Sequence, residues 1–144
     1  MILLDANLLL YAHNEEAEQH ENARDYLEKM LNSEEWVGMP WTSIWAFLRI
    51  ATHRQIFRTP FTPEEACEIV SSWLECPNVR PLGPGQRHWV YLQKLIRSGQ
   101  VQGALVMDAA LAALAQEQGA EIETCDRDFA RFEGVAWRNP LKPR

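Results

Sequence analysis

Ile2, Leu3 and Leu4 form an unbroken apolar run, the pattern of a short strand buried on both faces. Asp5-Ala6-Asn7 interrupts it before Leu8, Leu9 and Leu10 resume, which predicts a turn with a polar corner. Over residues 20–31, Ala23, Leu27, Met30 and Leu31 share one helical face opposite a solvated acidic one. Residues 36–39 read as a second strand ended by Pro40. Thr42 or Ser43 then caps a helix reaching about Thr52. Thr62-Pro63-Glu64-Glu65 is a capping box with proline at the first helical position. The helix it opens carries Ala66, Ile69, Val70, Trp73 and Leu74 on one side and stops before Pro77.

The second half repeats this alternation. Residues 78–82 predict a third strand, 86–97 a helix, and 105–118 an Ala/Leu-rich helix that is apolar almost all round and closed by Gly119. Residues 121–124 predict a fourth strand, 128–132 a helical turn and 135–137 a fifth, edge strand. Strands alternating with helices predict an α/β fold, a three-layer α/β/α sandwich on a mostly parallel sheet. Functional sites in such folds form at the carboxyl ends of the strands. No repeat or linker divides the 144 residues, so one domain over 1–144 is expected.

Composition is globular, with 47% hydrophobic and 24% charged residues. The formal charge of −6 argues against a sequence-independent nucleic-acid coat, which is usually basic. The charge is unevenly spread, however. Residues 14–35 hold eight acids and two bases, and so account for the whole excess. Residues 36–63 contain no acid but carry Arg49, Arg54 and Arg58; residues 76–107 also lack acids. The end of the chain adds Arg127, Arg131, Arg138, Lys142 and Arg144. Three cysteines without a C-x-x-C pair predict a reducing, cytoplasmic setting. The N-terminal run lacks a basic leader and is too short to span a bilayer, so no membrane partner is expected.

Only five of the 20 acids are aspartates, and four of them fall where sites form. Asp5 follows the first strand, Asp126 and Asp128 follow the fourth, and Asp108 sits in the first turns of the most apolar helix. Each alone has an ordinary reading as a turn, cap or first-turn residue. Together they bring short carboxylates from three segments towards one sheet edge. Two carboxylates about 4 Å apart repel by roughly 4 kcal/mol at an effective dielectric of about 20. Such a group therefore raises its pKa values or takes up a cation. Oxygen-only donors suit Mg²⁺ or Mn²⁺, ions that hold a phosphodiester and activate water.

These motifs resemble the PIN-domain ribonucleases. Met1-Ile2-Leu3-Leu4-Asp5-Ala6-Asn7 is similar to the family's opening, Asp108-Ala109-Ala110-Leu111 to its central acidic helix, and Thr124-Cys125-Asp126-Arg127-Asp128-Phe129 to its late acidic motif. The stretch Trp41–Thr52, with Phe47-Leu48-Arg49-Ile50-Ala51-Thr52, and the ending Trp137-Arg138-Asn139-Pro140-Leu141 resemble the VapC toxin branch. The resemblance implies Mg²⁺- or Mn²⁺-dependent cleavage of tRNA or another structured RNA. It further implies the toxin of a type II toxin–antitoxin pair, a VapB-like antitoxin and a homodimer. Asp5, Asp108 and Asp126 match the family's catalytic metal-binding acids, Asp128 an auxiliary metal ligand, and Asn7 and Thr124 the polar residues beside them. A glutamate frequent on the family's second helix aligns with Phe47, after Ala46, and Arg49 on the same helix is a candidate phosphate contact. The missing acid raises a second reading, a silent module that binds RNA or antitoxin without turnover. A dehalogenase-type phosphotransferase fits less well, because that chemistry needs Asp-x-Asp and the chain has Asp5-Ala6-Asn7.

The four histidines, His13, His20, His53 and His88, show no metal-ligand spacing and are read as surface or half-buried packing residues. Trp73 and Trp89 are assigned to the core. Trp41 and Trp45 are read mainly as core, with base stacking as the alternative.

Overall fold

Ile2–Leu4 forms β1, with Ile2 and Leu4 packed into the hydrophobic cluster on one face of a sheet and Leu3 into the cluster on the other. A computed structural model describes residues 1–142, so Pro143 and Arg144 lie outside the described residues. The remaining strands are β2 (Val37–Pro40), β3 (Val79–Leu82), β4 (Glu121–Glu123) and β5 (Trp137–Arg138). All pair in parallel, in the order β3-β2-β1-β4-β5. Helices α1 (Ala6–His13), α2 (His20–Leu31), α3 (Trp41–Ala51) and α4 (Pro63–Leu74) supply the cluster on one face. Helices α5 (His88–Ser98) and α6 (Leu105–Gln118) supply the other. This is the expected three-layer α/β/α sandwich. The strand order turns in opposite directions from β1, so the crevice at the ends of β1 and β4 is the topological switch point where such folds hold their sites.

Helices α2 and α6 occupy the predicted ranges, and Gly119 closes α6 at φ 61° in the left-handed region. Alanines at 109, 112, 113 and 115 are buried, which brings the α6 backbone close to the sheet. The capping box is present: Glu65 N–H donates to Thr62 Oγ1 at 3.1 Å and Thr62 N–H to Glu65 Oε1 at 3.0 Å.

Several local expectations are corrected. The polar corner at 5–7 opens a helix instead of ending in a turn. Asp5 is the N-cap of α1, and Leu8, Leu9 and Ala12 turn inward at helical spacing. Helix α3 is capped neither by Thr42 nor by Ser43. It starts at Trp41 directly after Pro40, and Ser43 Oγ donates to the Leu4 carbonyl at 2.8 Å. The last strand is Trp137–Arg138 because Val135 is drawn into the core, its N–H donating to the Phe132 carbonyl. Trp73 is buried as assigned, but Trp89 is 64% exposed and Trp45 62%, and Trp41 is also exposed. These three indoles therefore stand on the surface and not in the core. His13 does pack, its Nδ1–H donating to the Leu9 carbonyl at 2.8 Å and its ring standing edge-on to Phe47 and Trp73.

Thr62→Ala removes one half of the capping box and is expected to cost about 1 kcal/mol of stability in urea unfolding. An unchanged midpoint would show that tertiary contacts alone hold the start of α4.

Candidate active site

Asp5 leaves the end of β1 and caps α1, so its carboxylate points along the sheet edge with little freedom. Its backbone N–H donates to the Glu123 carbonyl at 3.1 Å, which ties the ends of β1 and β4 together. Its Oδ1 accepts from Ala6 N–H at 2.8 Å, and its Oδ2 accepts from Thr124 Oγ1 at 2.7 Å and from Asn7 Nδ2 at 3.2 Å. Thr124, fully buried at the end of β4, also accepts through Oγ1 from Asn7 Nδ2 at 3.1 Å and from Asp126 N–H at 3.0 Å. Asn7 completes the ring by accepting from Cys125 N–H at 3.3 Å. Asp126 Oδ1 in turn accepts from Asp128 N–H at 2.8 Å and opens a 3₁₀ turn at Arg127–Arg131.

Across this network, Asp108 comes down from the first turn of α6. One carboxylate oxygen from each of Asp108, Asp126 and Asp128 lies within 4.8 Å of the others. Asp5 is outside that triad, its oxygens accepting from Ala6, Asn7 and Thr124. It lines a cleft of about 170 Å³ together with Asp108, Ser43, Ala46 and Arg49. All the sequence-predicted residues therefore meet at one edge, with Asn7 and Thr124 as the hydrogen-bonded support.

The electrostatics follow from this crowding. Burial raises the Asp5 carboxyl above its usual range, with Asp126 adding to the rise and the Thr124 and Ala6 hydrogen bonds opposing it. Asp108 is pushed up to about 6, first by burial, then by Asp126, Asp5 and Asp128, against the weaker pull of Arg131. No ion pair among the described residues involves any of the four aspartates. Uncompensated, oxygen-only donors fit a hard divalent cation.

Phe47 is not at the site. It is fully buried against Trp73, with ring centroids 4.8 Å apart, and Ala46 lines the cleft instead. Successive helical side chains diverge by about 100°, so the position facing the carboxylates is one residue earlier than the alignment placed it. Arg49 is on the cleft-facing side, exposed and in no ion pair among the described residues. Two further residues were missed. Arg131, one turn after Asp128, is the base whose charge acts on Asp108. Glu123 is fully buried and accepts from Arg138 Nε at 3.1 Å and Nη2 at 2.6 Å, a bidentate pair that fixes β4 to β5 behind the site. Its signal was a charged residue inside a predicted strand.

The PIN domain family model matches residues 2–135. The chain belongs to the PIN-domain family. Among curated relatives of this PIN-domain chain, Ribonuclease VapC43 of Mycobacterium tuberculosis strain H37Rv is 37% identical over 98% of this chain and 96% of its own length. Ribonuclease VapC37 of the same strain is 39% identical over 97% of each. The structure of VapBC-1 from nontypeable Haemophilus influenzae superposes with a TM-score of 0.70 at 18% identity, covering 99% of this chain and all of that one, a likeness of fold. No helix among the described residues is long and apolar enough to cross a membrane.

The raised carboxyl of Asp108 has a consequence for stability. From the ordinary carboxylate range up to about pH 6 the folded protein keeps a proton there that the unfolded chain has lost, so this group makes stability fall as pH rises through that window. In the presence of EDTA, Asp108→Asn should be more stable than the wild type at pH 7.5, by a gain of order 1 kcal/mol once solvent screening of a half-exposed group is allowed for. The gain should vanish near pH 4. Parallel pH profiles in urea unfolding would contradict the crowding described here.

Proposed function

We propose that this chain, acting as one domain over residues 1–144, is a divalent-metal-dependent endoribonuclease and the toxin of a type II toxin–antitoxin pair. The observation that carries the reading is the convergence of Asp108, Asp126 and Asp128, with Asp5 beside them, at the switch point of the sheet, with none of the four in an ion pair among the described residues. The identity to VapC ribonucleases over nearly the whole chain supports the same activity. The substrate is tRNA or another structured RNA.

Asp108, Asp126 and Asp128 would hold Mg²⁺ or Mn²⁺, and Asp5 completes the catalytic acids. The ion, when bound, neutralises phosphate charge and lowers the pKa of water. The chain's own groups do the remaining work. Thr124 and Asn7 hold the Asp5 carboxylate in one orientation. Arg49, exposed at the cleft, offers its guanidinium to a phosphate oxygen, a role for which its planar donor set is suited. Ala46 provides no carboxylate there, so the α3 side of the cleft is left to the phosphate backbone. That absence also favours the second reading, an RNA- or antitoxin-binding module without turnover.

A VapB-like antitoxin and a second copy of the chain are the proposed protein partners. Trp45, Trp89, Val90 and Met107 on α3, α5 and the start of α6 are all more than half exposed, an apolar surface of the kind that oligomers cover. Three free cysteines support a cytoplasmic setting.

Cleavage of a tRNA pool in Mg²⁺ or Mn²⁺ tests the enzyme. Asp5→Asn and Asp108→Asn should each lower kcat/KM at least about 100-fold, and Arg49→Ala should act mainly on KM. Full activity in excess EDTA or in Asp108→Asn would sink the metal mechanism. Metal binding without cleavage would establish the silent module. In sedimentation, Trp45→Ala combined with Trp89→Ala should shift a dimer to monomer, and an unaltered sedimentation coefficient would place the interface elsewhere.

A further inference from the structure

Cys125, whose N–H donates to Asn7 Oδ1, also lines a second cavity of about 480 Å³. This cavity lies between α1, the start of α2 and the C-terminal segment. Tyr11, Gln19, Asn22, Asn139 and Lys142 form most of its wall. Tyr11 is one helical turn after Asn7, so the phenol ring and the amide that binds Cys125 share one face of α1. The cavity therefore adjoins the acidic edge: Cys125 in its wall bonds Asn7, Asn7 bonds the Asp5 carboxylate, and the Asp5 charge acts on Cys125.

Its chemistry differs from that of the metal cleft. Three side-chain amides each present both donor and acceptor atoms. Among the described residues, the Gln19 and Asn22 amides have no hydrogen-bond partner. Asn139 uses only its Oδ1, which accepts from Leu141 N–H at 3.0 Å and faces Cys125 Sγ at 3.7 Å. Glu18 adds an acceptor at the rim and Lys142 a cation. An aromatic face, free amide edges and a single cation form the set that recognises an unstacked RNA base. The volume falls in the range of small-ligand sites, roughly 300–1,000 Å³, and is ample for one nucleoside.

We propose that this cavity is a base-reading subsite that takes the nucleotide neighbouring the scissile phosphate, with Tyr11 against the base and Gln19, Asn22 and Asn139 on its edge. This rests on the ribonuclease reading above. An antitoxin segment is the competing occupant. The polar wall is less suited to it than the exposed indole surface on α3 and α5.

The test uses the full chain, Mg²⁺ and an RNA pool of randomised sequence, with the cut ends sequenced. Wild type should show a base preference beside the cut, and Gln19→Ala and Asn22→Ala should each relax it about tenfold while cleavage of the pool persists. Because neither amide bonds another side chain, both variants should melt with the wild type. Preferences unchanged in both variants and in the double variant overturn the subsite and leave the ribonuclease reading intact. No cleavage by wild type overturns that reading and the subsite with it. If both variants keep the preference but escape neutralisation by a co-expressed VapB-like antitoxin that neutralises the wild type, the cavity belongs to the antitoxin and the proposal fails.

Discussion

The hydroxyl of Thr124 is the contact on which the acidic edge depends. It donates to Asp5 and accepts from Asn7 and from the backbone of Asp126, so one buried oxygen joins β1, α1 and the segment after β4. Carboxylates repel, and nothing in their own chemistry gathers them. Parallel pairing of β1 with β4 brings the two strand ends side by side, and the Thr124 network turns that proximity into fixed orientations. A satisfied buried network of this kind is stiff, because breaking one bond strands several partners.

Behind it, the fold supplies counterweights at a distance. The bidentate Arg138–Glu123 pair neutralises the one fully buried acid and pins the β4–β5 edge. Ser43 bonds the Leu4 carbonyl and seats α3 against the end of β1, which brings Ala46 and Arg49 to the cleft. The acids of α2 stand apart, mostly in solvent, while buried Ala23 and Leu27, with Tyr26, Met30 and Leu31 packed beside them, anchor that helix in the core. The overall charge of −6 is therefore a poor guide to the proposed RNA-facing edge, where exposed Arg49 and, near Asp108, Arg131 stand beside the carboxylates.

The exposed indoles are the clearest departure from binary patterning. Trp41 and Trp45 lie on α3, which has few polar positions to mark an outer face, whereas Trp89 stands on α5 at i, i+4 and i+8 spacing with Gln93 and Arg97, a polar stripe that marks it as outward. The exposure of Trp41 and Trp45 is a property of what packs against α3. The same holds for Phe47. A helix fixes the angle between neighbours, but only its docking decides which neighbour meets the site.

By itself, the sequence determined the α/β/α layers, the ranges of α2 and α6, the capping box at Thr62 and the identity of the four clustered aspartates. Each is written in local signals: periodicity, a cap, a glycine past a helix end, or a rare residue type after a strand. Tertiary structure alone decided the order of the strands, the helix beginning at Ala6, the turn of Ala46 rather than Phe47 towards the carboxylates, and the Glu123–Arg138 pair. These depend on residues distant in the chain, joined by sheet pairing and packing. No window of sequence contains both partners of such a contact.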